Sequence, residues 1–258
     1  MITKMKTTKQ LLGIASLALL TACGSSGQPP ETKEAAADST QMTTDNILTT
    51  SELADGFQLL FDGKSLQGWH LYLKDSASGW KIEDGVLITP GGTGDLVTNA
   101  EYENFELLFD WKIQKGGNGG VFYYIIEDPK HKTTYETAPE YQLIDDVGYP
   151  APLKEVQKSG ANYDMIAPNP LAAKTPGEWN AGRIVVNNGQ IEHWLNGTKV
   201  VAYTYGDDAW KQNVAASKFA KWGYATPHTK GKIGLQDHGD PVSFKNIKLK
   251  VLPTNVAK

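Results

Sequence analysis

The chain has 258 residues, a formal net charge of −4 and a single cysteine, Cys23. So mild an acidity removes the electrostatic case for nucleic acid, whose backbone is gripped by clustered cations, and with Arg183 the sole arginine there is no basis for bidentate phosphate clamping. One cysteine cannot close an internal disulfide, so Cys23 has another task.

Lys4, Lys6 and Lys9 precede an apolar run from Leu11 to Leu20, which ends in Leu20-Thr21-Ala22-Cys23. The run is about half of what a spanning helix needs, and the order of charge, apolar stretch and small residues is that of a signal peptide. Residues 1–22 are therefore expected to be a lipoprotein signal peptide. Cys23 would carry the lipid and hold the protein on the exported side of a bacterial membrane, periplasmic or at the cell surface. Residues 23–50 are small and polar without apolar periodicity and read as a flexible linker. Residues 51–258 then form one domain rich in aromatic side chains.

Within that domain the predicted elements are short strands with period-two alternation. Phe105 to Ile113 puts Leu107, Phe109, Trp111 and Ile113 on one face and Glu106, Asp110 and Lys112 on the other. Gly116-Gly117-Asn118-Gly119 follows, and the pattern predicts a hairpin to Gly120–Ile126. Tyr149 to Pro170 lacks alternation and is expected to be a loop at the edge of a groove, bringing Tyr163 or Asp164 to a ligand. Arg183–Val186, Gln190–Leu195 and Thr198–Tyr203 are three strands joined by tight turns at Asn188-Gly189 and Asn196-Gly197, the strongest short hairpin signal. Ala209 to Phe219 is the only hint of a short helix. Two more strands flank Gly239-Asp240-Pro241. This is an all-β pattern, a two-sheet sandwich or a barrel.

Sorting the strands by parity gathers polar side chains opposite the core-facing ones. Glu140 and Gln142 alternate with Tyr141 and Leu143, Glu192 and Trp194 with Ile191 and Leu195, and Gln236 and His238 follow Ile233 and Leu235. With Asp110 and Lys112, these would share one face of a single sheet. Acids, amides, an indole and an imidazole suit a sugar, whose hydroxyls take hydrogen bonds and whose C–H face stacks on an aromatic ring. His193 has inward parity and reads as a core histidine. The tryptophans Trp69, Trp80, Trp111 and Trp179 read as packing. The pair Asp145-Asp146 offers oxygen ligands to a divalent cation, although adjacent carboxylates at a strand end are common on surfaces.

The stretch Gly56-Phe57-Gln58-Leu59-Leu60-Phe61-Asp62-Gly63-Lys64-Ser65-Leu66-Gln67-Gly68-Trp69 resembles the start of the 3-keto-disaccharide hydrolase family. Gly117-Asn118-Gly119-Gly120-Val121-Phe122-Tyr123, Pro139 to Asp146, His193 to Gly197 and Leu235-Gln236-Asp237-His238-Gly239 extend the likeness to essentially the whole domain. The resemblance implies a concanavalin A-like jelly-roll sandwich of two curved antiparallel sheets, with a ligand groove on the concave face. It also implies cleavage of a glycoside already oxidised at C3, where the ketone acidifies the C2 proton so that the bond at C1 breaks by elimination and water then adds. That chemistry needs a base, an acid and something to steady an enolate. The implied roles are Glu140 and His238 as acid and base in either order, Gln142 and Gln236 orienting the sugar, Trp194 as its platform and Lys112 steadying the enolate. Glu192, Asp110 and Tyr124 join the sugar contacts, and Asp145 and Arg183 support the site.

Two other functions compete. One is a carbohydrate-binding lipoprotein without chemistry, since the fold alone fixes no function. The other is a conventional glycosidase, whose retaining form needs two carboxylates about 5 Å apart. Against it, the residue two beyond Glu140 on its strand is the neutral Gln142.

Overall fold

The computed structural model describes residues 45–255, so the expected signal peptide, Cys23 and most of the linker lie outside the described residues. Folded structure is already present before Ser51. Asn46 is buried, its backbone N–H donates to Asn246 Oδ1 at 2.6 Å, and the backbone N–H of Asn246 returns a bond to Asn46 Oδ1 at 2.8 Å. Lys245 pairs with Asp45 and Lys248 with Glu52, each at 2.8 Å. Glu52 belongs to the short helix α1 (Thr50–Ala54), which a capping box from Thr49 starts.

The domain is a sandwich of two antiparallel sheets with jelly-roll, concanavalin A-like architecture, as the sequence implies. The large sheet runs β11 (Thr198–Thr204), β10 (Gln190–Leu195), β9 (Asn180–Asn187), β6 (Phe105–Ile113), β13 (Val242–Val251), β4 (Val86–Thr89) and β3 (Lys81–Glu83), with β1 (Gln58–Leu59) also on β13. The small sheet runs β2 (Trp69–Leu71), β5 (Leu96–Thr98), β12 (Lys232–Leu235), β7 (Asn118–Ile125) and β8 (Glu140–Ile144). Residues on β6 alternate between buried and half-buried along its whole length, the signature of one core face and one wet face. Its Phe109 meets Tyr141 of β8 edge to face with ring centroids 5.3 Å apart, so the two sheets interlock through aromatic side chains.

The turns at Asn188-Gly189 and Asn196-Gly197 form as predicted. All four residues have positive φ, between 50° and 81°, the backbone of the tight turn that suits twisted strands. The hairpin predicted across Gly116–Gly119 does not form. β6 pairs with β9 and β13 in the large sheet, whereas β7 pairs with β8 and β12 in the small one, so the glycine-rich segment carries the chain from sheet to sheet. Gly119 and Gly120 are strand residues, and their missing side chains serve packing. A Cβ on Gly119 would stand 2.8 Å from Val242 Cγ2, and one on Gly120 would stand 2.5 Å from Glu140 Oε1.

Helix α2 (Asp208–Ala215) is capped by the Asp207 side chain accepting from the Trp210 N–H. Two 3₁₀ turns follow, Lys218–Lys221 and Gly223–Ala225, and this stretch has its own apolar cluster of Trp210, Val214, Phe219 and Tyr224. No helix among the described residues is long and apolar enough to cross a membrane.

Candidate active site

The outer face of the small sheet carries a cleft of about 300 Å³, in the size range of small-ligand sites. Its floor is made by β7, β8 and the end of β12, where Asn118, Glu140 and Gln236 point outward and Gly120 lies between them. Gln236 is tied to the floor by its backbone N–H, which donates to the Gly120 carbonyl at 2.9 Å. Tyr135 and Ala138 form one wall, and Phe219, Trp222 and Tyr224 form another. Tyr135 stacks on Trp222 at 5.6 Å and Phe219 on Tyr224 at 4.7 Å, so the two walls meet through aromatic contact.

Glu140 is buried at the bottom, and among the described residues lining the cleft it is the sole carboxylate. Its carboxylate accepts no hydrogen bond from the described residues. Burial therefore pushes its pKa up to about 8, with the charges of Asp95 and Asp164 adding to the rise and the Lys218 ammonium opposing it. Lys218 pairs with Asp164 at 3.0 Å and sits 4.3 Å from the ring centre of Tyr163. Tyr163 lines the cleft, and its N–H donates to the Glu140 carbonyl at 3.0 Å. The long loop thus does run along the groove, bonded to the free edge of β8.

Gln142 lies beneath the cleft surface. Its Nε2 donates to Asn118 Oδ1 at 2.7 Å, which fixes Asn118 and leaves that residue's amide N–H pair facing the cleft. Gln236 is buried, and its Oε1 has no hydrogen-bond donor among the described residues. His238 stands exposed at the rim. The turn beneath it is pinned by Asp237, whose carboxylate accepts from the N–H groups of Gly92, Thr93, Gly94 and Gly239 and from the Thr93 hydroxyl. These bonds outweigh burial and hold Asp237 down to about 2.

Glu140, Gln236 and His238 come together as the sequence suggested, but the other expected contacts do not join them. Trp194, Glu192, Arg183, Asp110 and Lys112 all point outward from the large sheet, on the opposite side of the sandwich. The Tyr141 hydroxyl shows the separation, since it crosses the core to donate to the Trp194 carbonyl at 3.0 Å. A hollow of about 660 Å³ exists on that side, and most of the charged groups in and around it are paired within the protein. The Trp194 ring has the Arg183 guanidinium 4.8 Å and the Lys199 ammonium 5.6 Å from its centre, and its Nε1–H donates to Glu192 at 2.8 Å. Arg183 bonds Glu106 at 2.6 Å, Asp110 accepts from Asn246 at 2.7 Å, and Lys112 covers Trp179 at 4.8 Å.

Tyr124 and Asp145 are also placed elsewhere. The β7–β12 register slips near Tyr124, whose φ is 61°, and the slip turns the side chain into the core, where its hydroxyl donates to the Glu103 carbonyl at 2.8 Å. Asp145 accepts from the N–H groups of Gly116, Val147 and Gly148, and Asp146 from that of Ser159. With both of its oxygens used, Asp145 holds a turn and does not fit the role of cation ligand or of support for His238. No group of three or more His, Cys, Asp or Glu suited to a metal occurs among the described residues.

His193 is buried between the sheets, as its parity predicted. Its Nδ1 faces the Gly160 carbonyl at 3.0 Å, so Nδ1 carries the proton and Nε2 accepts from the Tyr123 hydroxyl at 2.9 Å. Burial lowers its pKa to about 4.

Parity could not find Asn118, Tyr135, Lys218, Phe219, Trp222 or Tyr224 as cleft residues. All but Asn118 lie in irregular segments. The available signal was the density of aromatic residues between Phe219 and Tyr224, where no strand or helix face exists to bury them.

A family model for the 3-keto-alpha-glucoside-1,2-lyase-like domain matches residues 56–250, which takes in every element that builds the cleft. The chain belongs to this family. A 3-keto-disaccharide hydrolase of Bacteroides thetaiotaomicron is 39% identical over 251 residues, covering 85% of this chain and 84% of that protein. A crystal structure from Parabacteroides distasonis, provisionally assigned as a glycosyl hydrolase, matches with a TM-score of 0.78 at 42% identity, covering 81% of this chain and all 100% of the other. A second structure from that organism with the same assignment matches at 0.59 and 31% identity, covering 76% and 99%.

Proposed function

We propose that this protein is a carbohydrate-active enzyme that cleaves the glycosidic bond of 3-keto-glycosides, including 3-keto-disaccharides, by elimination followed by hydration. The observation that carries the reading is Glu140, a single buried carboxylate with a raised pKa in a sugar-sized aromatic cleft. A ketone at C3 lets a protein base remove the C2 proton. The electron pair of the C2–H bond forms a C1–C2 double bond, the C1–O bond breaks, and the leaving oxygen takes a proton. Water then adds its hydroxyl to C1 and a proton to C2.

Glu140 and His238 divide the two proton transfers between them. Lys218 supplies positive charge beside the cleft, the role that the sequence gave to Lys112, and is suited to the enolate oxygen. Asn118 and Gln236 bring side-chain amides to the cleft lining, where sugar hydroxyls would meet them. Two-carboxylate hydrolysis is less well supported. The other carboxylate that acts most on Glu140 is Asp95, and its oxygens already accept from the Asp237 N–H and the Thr134 hydroxyl.

Purified protein incubated with a 3-keto-disaccharide and with its unoxidised parent tests the reading. Cleavage of the keto-sugar alone is expected. Cleavage of the parent at a comparable rate would revive the conventional glycosidase, and binding of either sugar without turnover would leave a lectin-like module.

A further inference from the structure

A second hollow of about 410 Å³ adjoins the cleft, beside the end of β2 and the start of β5. Tyr135, Gln236 and His238 line both spaces, so these three residues form the junction between them. The far side of the second hollow is lined by Lys74, Lys132 and Thr133. Its two carboxylates, Asp95 and Asp237, have their oxygens engaged by protein donors, the Thr133 hydroxyl donates to Glu136 and one Lys132 N–H to the Pro129 carbonyl, so the groups left to a ligand are the Lys74 ammonium, the remaining N–H donors of Lys132 and the Gln236 amide at the junction. Gln236 is 7% exposed and is shared by the two spaces, and its Oε1 finds no donor among the described residues.

We infer that the second hollow is the leaving-group subsite, that it holds a hydroxylated sugar ring, and that His238 at the junction protonates the departing oxygen while Glu140 removes the C2 proton. This rests on the proposed elimination and fixes what that proposal leaves open, the order of acid and base. A ketone-bearing ring in the cleft places its C1–O bond at the junction, beside the imidazole, and buries C2 toward the carboxylate. The protons balance over the cycle. Glu140 takes one from C2 and returns it to C2 on hydration. The His238 imidazolium gives one to the leaving oxygen and regains it from the attacking water.

The two steps can be read separately in full-length protein. In deuterium oxide, wash-in of deuterium at C2 of a methyl 3-keto-glucoside, followed by NMR, reports the base alone. His238→Ala should retain this exchange while losing at least tenfold in release of the leaving sugar from a 3-keto-disaccharide. Glu140→Gln should lose both. Exchange that survives in E140Q and disappears in H238A would reverse the order and overturn the inference. The subsite is tested by Lys74→Ala combined with Lys132→Ala, which should lower kcat/KM for the disaccharide about fivefold relative to the methyl glycoside. An equal effect on both substrates would remove the leaving group from this hollow. If the wild type shows neither exchange nor cleavage, the proposed function falls, and this inference with it.

Discussion

The carboxylate of Glu140 rests over the bare Cα of Gly120, where a Cβ would stand 2.5 Å from Oε1 and 2.9 Å from Cγ. The contact comes from neighbouring strands of the small sheet, with Gly120 directly opposite Gln142 and Glu140 one step along on the same face. A side chain at 120 would drive the carboxylate off the floor.

Gly120→Ala is therefore expected to lower kcat/KM on a 3-keto-glycoside by tenfold or more while the sandwich persists. Circular dichroism together with steady-state kinetics checks this. A variant with full activity would show that the carboxylate can work from a displaced position.

Removing the Glu140 charge should stabilise the fold at neutral and alkaline pH. The folded state keeps a proton on Glu140 up to about 8, whereas the unfolded carboxyl releases it near its ordinary 4.5. Between those values the native state binds more protons than the unfolded one, so this group makes stability fall as pH rises. At pH 7 the cost is roughly 3 kcal/mol on the scale of 1.36 kcal/mol per pKa unit. Glu140→Gln should thus melt at a higher temperature than the wild type, with a gap that is small near pH 4.5 and widens up to pH 8. Thermal unfolding across that range measures it.

The same titration should shape activity. If ionised Glu140 is the base, kcat/KM climbs with pH and levels off above about 8. Lys218→Met removes the ammonium that lowers the Glu140 pKa and should move the climb to higher pH. Asp95→Asn removes a like charge and should move it to lower pH. A pH–rate profile unchanged in both variants would detach the climb from Glu140.

Trp194→Ala is expected to leave kcat/KM within about twofold of the wild type. Its indole lies on the far sheet between Arg183 and Lys199 and bonds Glu192. A large loss of activity with intact folding would contradict the assignment of the cleft to the small sheet.

The contrast between Trp194 and Glu140 shows what the sequence could and could not convey. Period-two alternation correctly told inward from outward residues on β6, β8 and β10, because the hydrophobic effect writes that distinction into each strand. Which sheet a strand joins depends on pairing across long stretches of chain, and alternation carries no trace of it. Both sheets have an outer face, so residues of equal parity were merged into one. The glycines near residue 118 misled for a related reason. A glycine that makes a turn and one that makes room for a glutamate look the same in a linear text. Tyr124 was displaced by a single register slip, and Asp145 was spent on backbone N–H groups that no side-chain pattern displays. Parity did group Glu140, Gln236 and His238, which line one cleft.

The reciprocal bonds between Asn46 and Asn246 also decide which sheet fastens the start of the described chain. Asn246 lies within β13, a strand flanked by partners on both sides of the large sheet. Asp45 and Asn46 are thus moored to the sheet that does not carry Glu140, and the floor of the cleft owes none of its strands to that mooring.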